Sequence, residues 1–143
     1  MSIPIKILLV DDEARIREVL SFMLMELGHE VQAVEGPAGA LALVRQEKFD
    51  VAVVDNQLGG ARGVQLIGQL REIDPELHCV MMTGNPTAET AVEALKGGAS
   101  DILRKPFRVE DLLVRIENLK IRRTYEQQRK ELSLREQRDG NSE

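Results

Sequence analysis

The chain has 143 residues, 43% hydrophobic and 30% charged, which allows one domain with its own core, or one domain and an arm, and excludes two full domains. Aromatic residues make up 3% and tryptophan is missing, which disfavours a base-stacking nucleic-acid platform; the single cysteine, Cys79, excludes an internal disulfide and a multi-cysteine zinc site and fits a reducing compartment. The net charge of −5 is unevenly spread: residues 1–116 carry twelve basic and eighteen acidic side chains, residues 117–143 seven and six, so the globular part should repel nucleic acid.

Residues 5–10 form an apolar, β-branched run, the pattern of a buried strand, which stops at Asp11-Asp12-Glu13. No basic segment followed by an apolar one precedes it, so no signal peptide is expected, and no apolar run approaches the ~20 residues of a membrane span. Ile16, Val19, Leu20, Met23, Leu24 and Leu27 then recur at helical spacing up to Gly28. Residues 30–34 read as a second strand, and Ala38, Leu41, Ala42, Leu43 and Val44 as a second helix. A third strand, 49–54, ends at Asp55, and the glycine-rich stretch 58–63 reads as a loop. Val64, Leu66, Ile67 and Leu70 mark a third helix, stopping before Pro75; residues 77–82 a fourth strand, ending at Thr83. Ala88, Ala91, Val92 and Leu95 mark a fourth helix closed by Gly97-Gly98, and residues 101–103 a short fifth strand leading to Lys105-Pro106. A fifth helix starts near Val109.

Strict alternation of continuous apolar strands with helices implies a parallel sheet covered on both faces. The expected fold is a doubly wound, five-stranded α/β sheet of order 2-1-3-4-5, with its crevice at the carboxyl ends of the first and third strands. The last helix has no obvious stop, because neither Gly nor Pro occurs between Phe107 and Gly140. A helix over 109–136 would be about 42 Å long, too long for a domain with a radius of gyration near ~13 Å to cover. Residues 1–120 are therefore read as the domain. Residues 121–143 form a charged helical linker or coiled-coil arm with a disordered end from Asp139. Val114, Ile121, Tyr125 and Leu132 share one seam of that helix with Asn118, Gln128 and Arg135, which leaves two readings open: a solvated tail, or a short dimerising coil.

Asp11, Asp12, Asp55, Thr83 and Lys105 all leave strands at one rim of the sheet. Each alone has a structural explanation, since Asp and Thr are common helix caps; five at one rim point to a site. Clustered carboxylates repel one another unless a hard cation with oxygen ligands joins them, and Mg2+ suits this set because it keeps open positions for phosphate oxygens. A metal, an ammonium and a hydroxyl around one carboxylate make a receptor for a phosphoryl group, with the carboxylate as nucleophile. His29, His78 and Cys79 do not cluster and read as structural.

With Val10-Asp11-Asp12-Glu13, Asp55 followed by Leu58 and Gly63, Met82-Thr83-Gly84 and Lys105-Pro106-Phe107 on the page, the sequence resembles the receiver domain of two-component response regulators, over residues 5 to about 120. The resemblance implies a flavodoxin-like receiver and a signalling switch that catalyses only its own phosphorylation and dephosphorylation. It implies that Asp55 takes a phosphoryl group from a phosphohistidine of a sensor kinase or phosphotransfer protein. Asp12 would ligate Mg2+ directly and Asp11 through water, while the backbone carbonyl of Gln57 completes the metal site. Thr83 would be the switch hydroxyl and Lys105 the phosphoryl-pairing lysine. A cis Lys105-Pro106 bond and a homodimer face on the fourth and fifth helices are further implications; the seam of the C-terminal helix offers a second route to a homodimer, and a cytoplasmic location is expected. Gly59-Gly60 replaces the proline the family usually has here, which implies a more flexible loop; Ile102 replaces an aromatic switch residue; Gln57 and Asn85 occupy the positions that tune dephosphorylation. Two other classes fit less well. A phosphatase of the haloacid-dehalogenase type needs Asp-x-Asp after the first strand, where position 13 is Glu, and a nucleotide- or flavin-binding module needs a glycine-rich turn there.

Overall fold

A computed structural model describes residues 3–140. In chain order the elements are β1 (Lys6–Val10), α1 (Ala14–Glu26), β2 (Glu30–Val34), α2 (Pro37–Gln46), β3 (Val51–Asp55), β4 (Gln57–Leu58), β5 (Ala61–Arg62), α3 (Gly63–Ile73), β6 (His78–Thr83), α4 (Ala88–Lys96), β7 (Asp101–Arg104) and α5 (Val109–Gly140). Five strands form one parallel sheet in the order β2-β1-β3-β6-β7, which is the expected 2-1-3-4-5 once the two-residue strands β4 and β5 are set aside.

Alternation along the central strands divides the core in two. Leu8, Val10, Ala52, Val54 and Met81 point to one face, under Ala40 and Val44 of α2 and Leu66, Ile67 and Leu70 of α3. Ile7, Leu9, Val51, Val53, Val80 and Met82 point to the other, under Leu20 and Leu24 of α1 and Leu112, Ile116 and Leu119 of α5. Both faces are dry, which is why these strands read as continuous apolar runs rather than alternating ones.

The structure departs from the sequence reading in four places. The stretch after Asp55 is a tight antiparallel hairpin, with Gln57 opposite Arg62 and Leu58 opposite Ala61; Gly59 makes the turn at φ 63, in the left-handed region that favours glycine. On α1 only Leu20 and Leu24 of the expected apolar face are buried, while Val19, Met23 and Leu27 are exposed. On α4 only Ala94 is buried, and Val92 and Leu95 lie open. Finally, α5 stays against the domain past residue 120. Its buried face runs Leu112, Ile116, Leu119, Arg123, and Arg123 is only 6% exposed. Its guanidinium Nη1 donates to the carbonyl oxygens of Phe49 at 2.6 Å and Asp50 at 3.4 Å, and Nη2 lies 3.6 Å from the Asp74 carboxylate. Lys120 reaches Asp50 at 2.7 Å and Lys130 reaches Glu76 at 3.3 Å. The helix also includes Asp139 and Gly140, where a disordered end was expected; the rest of that end, residues 141–143, lies outside the described residues.

Candidate functional site

Parallel pairing brings the carboxyl ends of β1, β3, β6 and β7 to one rim, and the expected residues meet there. Asp11 follows β1 and is wholly buried. Its N–H donates to the Val34 carbonyl at 3.2 Å, its carbonyl accepts from Arg17 Nη1 at 2.8 Å, and its Oδ1 accepts the Glu13 N–H at 2.9 Å. Asp12 is exposed and its Oδ2 accepts the Gly59 N–H at 3.1 Å, so the hairpin turn is tied to the acidic pair. Asp55 ends β3 and is 7% exposed; its Oδ1 lies 3.4 Å from the Gln57 N–H. Oxygens of Asp11, Asp12 and Asp55 all lie within 4.8 Å of one another.

Lys105 closes the cluster. Its backbone N–H donates to the Thr83 carbonyl at 2.8 Å, and the Lys105–Pro106 peptide is cis, as expected. Its ammonium donates to Asp55 Oδ2 at 3.1 Å and to Asp11 Oδ2 at 3.3 Å. Thr83 is buried at the end of β6, its Oγ1 accepting the Asn85 N–H at 3.2 Å. Asp12, Gln57, Thr83, Asn85 and Lys105 line a cleft of about 470 Å³ above Asp55.

Burial raises the Asp55 carboxyl above its ordinary pKa, aided by the Asp11 charge and opposed by the Lys105 hydrogen bond and charge. Burial alone would lower the Lys105 pKa, but Asp55 and Asp11 outweigh it and hold the ammonium above its ordinary value. The folded state therefore holds the Asp55 proton more tightly than the unfolded chain. This carboxyl's contribution to stability is greatest in acid and declines as pH rises from the unfolded value through the folded one.

Gly63 sets the height of Asp55. A Cβ there would stand 2.2 Å from the Asp55 carbonyl oxygen and 3.0 Å from Asn56 Cα, because the Gly63 N–H closes on the Asn56 carbonyl at 2.8 Å. Sequence reading missed two further features. Arg62, at the end of the hairpin, pairs with Glu93 of α4. Arg123 lies beneath the opposite end of the sheet. His29 and Cys79 are structural, as expected: His29 Nδ1 accepts the Ile5 N–H at 3.1 Å, and burial pushes the Cys79 thiol up to about 12. His78 lies within hydrogen-bond distance of Ser100, its Nδ1 2.9 Å from Oγ.

The fold and rim define a doubly wound α/β domain with an acidic, lysine-closed crevice at its switch point. The response regulator receiver domain matches residues 7–117, and the chain belongs to that family. It is 40% identical over 108 residues to the response regulator protein FleR of Pseudomonas aeruginosa, covering 76% of this chain and 23% of FleR. The chain spans from about a quarter to about half the length of the curated relatives it matches. Among solved structures it resembles a receiver domain protein from Methanospirillum hungatei, with a TM-score of 0.82 and 28% identity over 87% of this chain and 99% of that one. It also resembles a response regulator from Burkholderia pseudomallei, with a TM-score of 0.74 and 31% identity over 85% and 71% of the two chains. That protein was solved with a phosphorylated aspartic acid, a calcium ion and citrate.

Proposed function

We propose that the chain is a phosphorylation switch in which Asp55 takes a phosphoryl group from a phosphohistidine of a sensor kinase or phosphotransfer protein. The observation that carries this reading is the Lys105 ammonium between the Asp55 and Asp11 carboxylates, at the floor of a cleft open to a phosphoryl donor. An Asp55 carboxylate oxygen forms the bond to phosphorus as the phosphorus–nitrogen bond breaks, and the imidazole leaves with that electron pair. Lys105 then pairs with a phosphoryl oxygen in place of a carboxylate, and the Thr83 hydroxyl turns to donate to another. The oxygens of Asp11, Asp12 and Asp55 fit a hard divalent cation. They would hold Mg2+ together with the Gln57 backbone carbonyl, and the ion would supply neutralisation of charge on the phosphoryl oxygens. The chain turns over no separate substrate; it acts in the cytoplasm by changing partners, with no direct contact to nucleic acid. Beside the cleft, Ile16, Val19, Pro106 and Phe107 line an apolar groove, a surface suited to a helical protein donor. Exposed Val92 and Leu95 on α4 and the open face of α5 support self-association through those helices.

The test is labelling by a phosphodonor in Mg2+. Asp55→Asn loses the label entirely, and equal labelling of that variant would overturn the assignment. Because the Asp55 charge is held against its burial, the same variant has a higher melting temperature than the parent at neutral pH without Mg2+. The difference shrinks as pH falls toward the carboxyl's ordinary range.

Metal titration gives a second expected result. Asp12→Ala weakens Mg2+ binding more than Asp11→Ala, because Asp12 is exposed to the cleft while Asp11 is enclosed and engaged by Lys105. An unchanged titration in Asp12→Ala would remove the acidic cluster as the metal site.

A further inference from the structure

The face of α5 opposite its buried stripe is open and partly apolar: Val114 is 54% exposed, Ile121 67%, Tyr125 61% and Leu132 57%. With Asn118 and Gln128 these residues repeat at spacings of four and three, the period of a two-stranded coil. Asn118, Tyr125 and Leu132 take one core position of the heptad, and Val114, Ile121 and Gln128 the other. Resting on the self-association reading above, we infer that this seam is covered by the same seam of a second copy, parallel and in register.

The flanking charges decide the orientation. In a parallel pair, the residue just before one core position meets the residue five further along the partner. Glu117 then meets Arg122 of the second copy, and neither makes an ion pair within its own chain among the described residues. Glu110 meets Arg115 in the same way, although Arg115 is shared with Asp101 of its own chain at 3.1 Å. An antiparallel pair would instead set the row Arg115, Arg122, Arg129 against its own copy and bring Glu117 toward Glu131, so both flanks repel. Asn118 at a core position adds a second preference for one register, because only in register does each amide meet its own kind. Farther along, Glu131 would face Glu136, and Gln128 and Arg135 interrupt the seam, so the pairing is confined to about 114–132 and is weak.

Cysteine cross-linking tests the orientation directly. The one natural cysteine, Cys79, is fully buried, so an oxidised dimer reports the introduced thiol. Val114→Cys and Gln128→Cys are prepared separately in the full chain. They lie about 21 Å apart along the helix. In a parallel, in-register pair each variant forms a disulfide dimer with itself, since matching core positions fall within disulfide reach. In an antiparallel pair self-linking is confined to one crossing point, so at most one of them can. Sedimentation supplies the second measurement: Glu117→Arg weakens self-association about tenfold, and adding Arg122→Glu restores it. Self-linking of both cysteine variants with charge-swap rescue supports the inference. Self-linking at one site only, no linking in a chain that still dimerises, or failure of the swap to rescue overturns it while leaving self-association standing. A strictly monomeric chain at high concentration overturns both.

Discussion

Arg123→Ala lowers the unfolding free energy by about 3 kcal/mol. The side chain is the sole donor in hydrogen-bond contact with the Phe49 carbonyl among the side-chain bonds described, and it faces the Asp74 carboxylate beneath the sheet. Truncation removes that donor from the Phe49 carbonyl and the neighbouring cation from the buried Asp74 carboxylate, whose Oδ1 keeps, among the described residues, only the Glu76 N–H at 3.1 Å. The measurement is urea unfolding of dilute protein, with a lower midpoint at an unchanged slope. Lys130→Ala serves as the contrast. Its pair with Glu76 involves side chains that are 71% and 41% exposed, so its loss costs under about 1 kcal/mol. Equal effects from the two substitutions would mean that Arg123 is solvated and the helix is not clamped to the domain.

Gly63→Ala slows phosphorylation of Asp55 by about 100-fold, the typical penalty for displacing a reacting group by about an ångström. The new methyl meets backbone rather than a flexible side chain, the Asp55 carbonyl oxygen at 2.2 Å, so either α3 or the end of β3 must move. Alanine ordinarily favours a helix over glycine by about 1 kcal/mol, and here the collision reverses that sign. Gly60→Ala, with nothing within 4 Å of its Cβ and no positive φ, leaves the rate within about twofold. Rates of labelling under a common phosphodonor compare the two; a normal rate in Gly63→Ala would show that the Asp55 peptide is not held by this contact.

The strands were legible because each is a short, largely apolar run between helical patterns, and parallel pairing then carried Asp11, Asp55, Thr83 and Lys105 to one rim without further information. What periodicity could not supply was the short and the charged. β4 and β5 have two residues each, too few to show alternation, though Gly59-Gly60 between two pairs of residues is itself a hairpin signal. By sequence, Arg123 falls within the charged arm that begins at residue 121, because arginine on a charged helix normally faces water. The signal was its position, four residues after Leu119 on the stripe that begins at Leu112. The apolar face expected of α1 erred in the other direction. Val19 and Met23 share the helical period with Leu20 and Leu24 but sit on the flank the sheet does not reach, and periodicity alone does not distinguish a core face from one left for a partner.

The clamp under Arg123 also has a mechanical meaning. It divides α5 into two arms, about 21 Å back to Val109 and about 26 Å out to Gly140. If the helix rocks about that fulcrum, a shift at Val109, three residues past Pro106, reappears at Gly140 in the opposite direction and at slightly greater amplitude. A movement of the Lys105 loop then arrives at the far tip as a change of direction rather than a loss in slack chain. The distance over which it can travel is set by how many residues remain helical beyond Arg123.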